Sequence, residues 1–263
     1  CSRRCRGREG RDQLSAGFRL IETEEDLRRA AGVLSRAKEV AIDLEADTLF
    51  HYGETLCLMQ VCDGETVFLV DPVRIGDLSI LRPILEDPEV EKVVHGGDYD
   101  LRLLRRKLDV RCAPVFDTEI AARFLGMKRS GLGDVLSAVL GAKVDKACQK
   151  FDWSARPLSA RMLEYAADDV RFLIPLSRCM KERLHRCGRL EWVEEECALL
   201  ACRDRKEGQP QRYLFESFRG AGVLEPRDLA VLEAILKMRD NLARERNLPP
   251  FKVISPETIR EIV

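Results

Sequence analysis

In Val40-Ala41-Ile42-Asp43-Leu44-Glu45 the side chains divide with a period of two. Successive residues of an extended chain point to opposite faces, so Val40, Ile42 and Leu44 share one face and Asp43 and Glu45 stand side by side on the other. The segment reads as a strand with one face for a core and a second face carrying two neighbouring carboxylates. Such neighbours repel unless a cation lies between them. A solvated edge strand would show the same pattern, so this motif alone leaves both readings open.

The rest of the chain says what surrounds that strand. Phe18–Ile21 is a short strand, and Thr23 followed by acidic residues opens a helix expected to run through Ala37. Strand patterns at 56–62 and 66–70 are separated by Asp63-Gly64, a hairpin signal. A helix at 78–85, a strand at 92–95, a helix from Asp98 to Leu108 and a short strand at Val115-Phe116 follow, and then mostly helix to about Cys202. Strands first and alternating helices later predict an α/β unit, a mixed sheet flanked by helices. Arg203 to Gln211 is polar with Gly and Pro and marks a boundary. Leu229, Leu232, Ile235 and Leu236 then recur at helical spacing until Pro249-Pro250 stops the helix. The expected division is a tail over 1–17, with Arg3, Arg4, Arg6, Arg8 and Arg11 in a solvated stretch, a large domain over 18–203, a linker over 204–212 and a small all-α domain over 213–263.

Charge and cysteine content narrow the function classes. Forty-four basic residues against forty-five acidic ones exclude binding of nucleic acid through bulk charge, so such a partner requires a local patch. Lys143, Lys146 and Lys150 form the nearest such stripe, equally readable as a solvated helix face. Ten cysteines without a C-x-x-C pair, and only three histidines, argue for free thiols and against structural zinc. No apolar run reaches the roughly 18–20 residues of a membrane span. The expectation is a cytoplasmic protein with no membrane association.

Two further acids stand out. Around Tyr165 the apolar positions Met162, Ala166, Leu173 and Leu176 follow helical spacing, and Asp169 occupies a slot that should face the core. A buried carboxylate costs several kcal/mol unless paired or metal-bound. Tyr165, four residues earlier, projects from the same side. Asp98 reads as the cap of the helix after His95-Gly96-Gly97, and Asp100 in its first turn is readable as a charge favoured by the helix dipole. Asp43, Glu45, Asp100 and Asp169 together make an all-oxygen ligand set suited to Mg²⁺ or Mn²⁺. Two such ions about 3.5–4 Å apart activate water against a phosphodiester and stabilise the departing oxygen.

Three blocks resemble the tyrosine-bearing branch of the DEDD exonucleases, of which ribonuclease D is typical. They are Ile42-Asp43-Leu44-Glu45-Ala46-Asp47, Val94-His95-Gly96-Gly97-Asp98-Tyr99-Asp100-Leu101 and Tyr165-Ala166-Ala167-Asp168-Asp169-Val170. Phe116-Asp117-Thr118, Lys146 through Gln149 and Asp152-Trp153 with Arg156-Pro157-Leu158 are also similar to ribonuclease D. The resemblance covers about residues 18–203 and implies a ribonuclease H-like mixed sheet flanked by helices. It implies that Asp43, Glu45, Asp100 and Asp169 ligate two divalent ions and that Tyr165 orients, and can help deprotonate, the hydrolytic water. His95, Gln149, Trp153 and Arg156 are candidate substrate contacts, against structural readings for each. Residues from Leu229 through Phe251 resemble an HRDC domain, a small helical nucleic-acid-binding module, truncated at Val263.

The implied function is a 3′→5′ exoribonuclease releasing nucleoside 5′-monophosphates from RNA 3′ ends, tRNA precursors in particular, with no obligate protein partner. The alternatives are a DNA exonuclease of the same chemistry, since no motif reveals a 2′-hydroxyl contact, and a catalytically inactive nucleic-acid-binding scaffold.

Overall fold

A computed structural model describes residues 17–142, 151–202 and 213–263. Six strands are present: β1 (Phe18–Ile21), β2 (Glu39–Asp47), β3 (Thr55–Cys62), β4 (Val67–Val70), β5 (Glu91–Val94) and β6 (Val115–Asp117). They form one sheet in the order β1-β4-β3-β2-β5-β6. β1 runs parallel to β4, β3 antiparallel to β4, and β2, β5 and β6 are mutually parallel. The sheet is thus mixed, as the segment order predicts. At the β3–β4 hairpin Asp63 accepts from the amides of Glu65 and Thr66 at 2.9 and 2.7 Å, and Gly64 takes φ +96°, a conformation that favours glycine.

The helices are α1 (Glu24–Leu34), α2 (Pro72–Ile75), α3 (Arg82–Leu85), α4 (Asp98–Leu108), α5 (Thr118–Phe124), α6 (Leu132–Leu140), α7 (Ala160–Arg171), α8 (Leu173–Arg186), α9 (Leu190–Cys202), α10 (Pro226–Arg246), α11 (Pro250–Val253) and α12 (Pro256–Ile262). Thr23 caps α1 by accepting from the Asp26 amide. That helix ends three residues earlier than its sequence pattern, because the amides of Arg36 and Ala37 turn back to Val33 and Leu34 in tight i→i−3 bonds. The expected helix over 78–85 is a 3₁₀ turn, Ser79–Leu81, followed by the single turn of α3 with Pro83 near its start. Among the described residues no helix is long and apolar enough to cross a membrane.

The chain divides into two compact units. One comprises, among the described residues, 17–45 and 56–202; the other comprises 46–55 and 213–263. The sequence reading places residues 46–55 within the large domain, whereas they group with the helical unit.

The first unit has a core of Ala41, Val93 and Phe116 from β2, β5 and β6 packed with Ala166, Val170, Leu173, Leu176 and Met180 from α7 and α8. Lys92 is wholly buried within this unit, and its ammonium donates to the carbonyls of Asp87, Val90 and Ala113 at 2.8, 2.6 and 2.7 Å. Three carbonyls replace the water shell that burial removes.

In the second unit Ala221, Leu232, Leu236 and Ile259 form a small core. Within the same unit the Tyr52 hydroxyl donates to Asp240 at 3.0 Å, and the Arg244 guanidinium lies 5.5 Å from the Tyr52 ring centre.

Candidate metal centre

β2 brings Asp43 and Glu45 to one face of the sheet, and α7 brings Asp169 against them. Each of the three offers a carboxylate oxygen within 4.8 Å of the others. All three are half-buried. The solvated edge-strand reading therefore fails, because β2 is an interior strand of the sheet and its acids meet a third acid from a helix.

The electrostatics follow from crowding like charges away from water. Burial, with Asp43, Asp169 and Asp100 adding repulsion, pushes the Glu45 carboxyl up to about 9. Burial and the charge of Asp43 raise Asp169 to about 8, opposed by a hydrogen bond from Tyr165. Asp43 is raised well above the ordinary carboxylate range by burial and by Asp100. The groups acting on Glu45 through space are all acidic, so the protein's own remedy for this repulsion is protonation. A divalent cation is the chemical alternative, and four hard oxygen donors fit Mg²⁺ or Mn²⁺.

Asp100 stands in the first turn of α4, outside the tight group of three but close enough for its charge to act on Asp43 and Glu45. Its own carboxyl is raised to about 7 by burial and by the neighbouring Asp117. Tyr165 is 9% exposed and hydrogen-bonds Asp169. Burial and the nearby carboxylates push its phenol above the usual range, so it keeps its proton at neutral pH.

Three expectations need correction. Asp98 does not cap α4: Gly97 holds that position, and Asp98 is the first helical residue, paired with Arg102 at 2.7 Å. Trp153 does not offer a stacking face, being 2% exposed with its ring tilted against Tyr165 at 6.1 Å. Arg156 does not offer a phosphate contact. Its five N–H groups are engaged by Asp71 at 2.6 and 2.8 Å and by the carbonyls of Trp153, Ala155 and Cys57. Asp71 in turn is 1% exposed and caps α2.

His95 is half-buried, with Nδ1 at 2.9 Å from the Thr118 hydroxyl. That hydroxyl donates its one proton to the Val94 carbonyl at 3.0 Å, so Nδ1 is the donor to Thr118. Gln149 and the three lysines of the proposed stripe lie outside the described residues. Sequence reasoning noted the block Phe116-Asp117-Thr118 but missed the environment of Asp117, a wholly buried acid; what it binds becomes visible only in three dimensions.

The family model for 3′-5′ exonuclease matches residues 18–185, and that for the HRDC domain matches residues 228–263. Ribonuclease D of Gluconacetobacter diazotrophicus is 36% identical over 245 residues, covering 92% of this chain and 62% of that protein. The crystal structure of Escherichia coli RNase D, described as an exoribonuclease involved in structured RNA processing, superposes with a TM-score of 0.77. It is 32% identical, with 93% of this chain and 65% of that one covered. The catalytic core of RRP6 from Trypanosoma brucei gives a TM-score of 0.82 at 29% identity, covering 95% of this chain and 71% of that one. The chain spans about 62% of the length of the curated relatives it matches.

Proposed function

Because the chain belongs to the 3′-5′ exonuclease family, in its ribonuclease D branch, we propose that it is a two-metal-ion exoribonuclease that removes nucleoside 5′-monophosphates one at a time from RNA 3′ ends. The carrying observation is the convergence of Asp43, Glu45 and Asp169 within 4.8 Å, from segments more than a hundred residues apart, with only acids acting on Glu45. Such a grouping is costly to a fold unless it holds cations.

In this reading Asp43, Glu45, Asp100 and Asp169 hold the ions. When bound, two Mg²⁺ or Mn²⁺ ions supply hydroxide at neutral pH and stabilise the leaving 3′ oxygen. Tyr165, its hydroxyl proton donated to Asp169, would orient the attacking water by accepting a hydrogen bond from it. The end-on product, a 5′-monophosphate, leaves a new 3′-hydroxyl at the same place. RNA rather than DNA is taken as the substrate because a similar protein is described as an exoribonuclease involved in structured RNA processing, and tRNA precursors are proposed targets with the HRDC-like unit as an added contact.

The test is hydrolysis of matched single-stranded RNA and DNA by the wild-type protein and Asp169→Asn, with Mg²⁺, Mn²⁺ or EDTA. Metal-dependent release of 5′-monophosphates, faster from RNA and lost in the variant, is the expected result. A preference for DNA would move the substrate assignment, and activity surviving in EDTA would overturn the mechanism.

A further inference from the structure

The helix that carries Asp100 begins without a cap of its own. Gly97, which has no side chain to cap with, occupies the cap position of α4. The turn that leads into it is held instead from another strand. Asp117, the last residue of β6 and 1% exposed, accepts from the Gly96 amide through Oδ1 and from the Gly97 amide through Oδ2, both at 2.9 Å. The same Oδ1 accepts from the amides of Glu119 and Ile120 at 2.7 and 3.3 Å, capping α5. One carboxylate therefore fixes the starts of two helices.

The turn it grips has little freedom to lie elsewhere. Gly96 adopts φ +68°, a conformation that favours glycine, and a Cβ on Gly97 would lie 2.6 Å from Val94 Cγ2, so Gly97 is pressed against the end of β5. Parallel register sets Val94 beside Asp117. Thr118 adds a second tie by donating to the Val94 carbonyl while accepting from His95. Three residues beyond the gripped Gly97, less than one helical turn, stands Asp100.

Resting on the metal-site reading above, we propose that Asp117 is a positioning residue for Asp100: it locks the Gly96-Gly97 turn so that the Asp100 carboxylate meets the group formed by Asp43, Glu45 and Asp169. Asp117 is turned wholly to backbone amides and does not itself touch the ion. Its replacement by asparagine puts an NH₂ where one oxygen accepts an amide, so one of its four bonds becomes a donor–donor clash. The turn and the first turn of α4 then shift, and the ion held in part by Asp100 loses a ligand at its proper distance.

The experiment measures Mn²⁺ binding to the metal-free full chain by calorimetry and by loss of the free-ion paramagnetic signal, for wild type, Asp117→Asn, Gly96→Ala and Asp169→Asn. RNA affinity in EDTA and circular dichroism are recorded on each. Asp117→Asn is expected to weaken Mn²⁺ binding at least tenfold at unchanged RNA affinity, with kcat lowered and partly restored by excess Mn²⁺. Gly96→Ala disturbs the same turn without touching Asp117 and should shift Mn²⁺ affinity the same way, which keeps the test alive if Asp117→Asn does not fold. Wild-type Mn²⁺ affinity in a folded Asp117→Asn, or in Gly96→Ala, would overturn the positioning role while leaving the metal site intact. Failure of the wild type itself to bind Mn²⁺, with Asp169→Asn indistinguishable from it, would overturn both.

Discussion

Titrating the metal-free protein with Mn²⁺ at pH 7 is expected to expel roughly two to three protons per loaded site. Glu45 and Asp169, held at about 9 and about 8, carry their protons at pH 7, and Asp100, at about 7, carries half of one. Asp43, also raised, adds to the total. A metal-bound carboxylate must be ionised, so each proton present beforehand leaves when the ion arrives. Calorimetric titrations in two buffers of different ionisation enthalpy give the number directly, since the heats differ by that number times the difference in buffer enthalpies. Linkage then fixes the pH dependence: with about two protons displaced, affinity should rise on the order of 100-fold from pH 7 to pH 8 and flatten above about 9. Release of no protons at pH 7, with an affinity indifferent to pH, would mean that the carboxylates ionise together without a cation. The reasoning from burial and mutual repulsion would then be wrong.

The same groups set the stability of the metal-free protein. Their carboxyls are raised above their unfolded values near 4, so the folded state binds more protons, and stability should fall as pH rises from about 4 to about 9. Thermal melts in EDTA across that range check this, and saturating Mn²⁺ should flatten or invert the trend. Arg156→Met should cost about 3–5 kcal/mol by leaving buried Asp71 with only Arg74 at 3.9 Å and two backbone amides, read as a lowered denaturant midpoint, while RNA affinity of the folded fraction stays at the wild-type value; a weakened RNA affinity with intact stability would restore Arg156 as a substrate contact. Lys92→Met should cost on the order of 3 kcal/mol because three buried carbonyls lose their donor, lowering Tm by about 6–12 °C for a domain of this size.

Local pattern made part of this legible. Alternation put Asp43 beside Glu45, helical spacing put Tyr165 over Asp169, and Asp63-Gly64 announced the β3–β4 hairpin, because each depends on neighbours within four residues. Asp100 had a second local explanation in the helix dipole, and only its placement against Asp43 and Glu45 separates the two. Trp153 and Arg156 were misread for a related reason. Whether a tryptophan is open to solvent depends on what packs over it, and the partner that occupies the Arg156 guanidinium, Asp71, lies 85 residues away. Asp117 was opaque for the same cause: its amide donors at Gly96 and Gly97 are 21 and 20 residues upstream, joined to it only by the β5–β6 register.

The distances along the chain between the acids also bear on when the protein can act during its own synthesis. Asp43, Glu45 and Asp100 leave the ribosome well before Asp169, and α7, which carries both Asp169 and Tyr165, has nothing to pack on until the middle strands are paired. A nascent chain interrupted between α4 and α7 carries three of the four acids and lacks the helix that brings the fourth. The group of acids is therefore complete only once α7 has folded against the sheet.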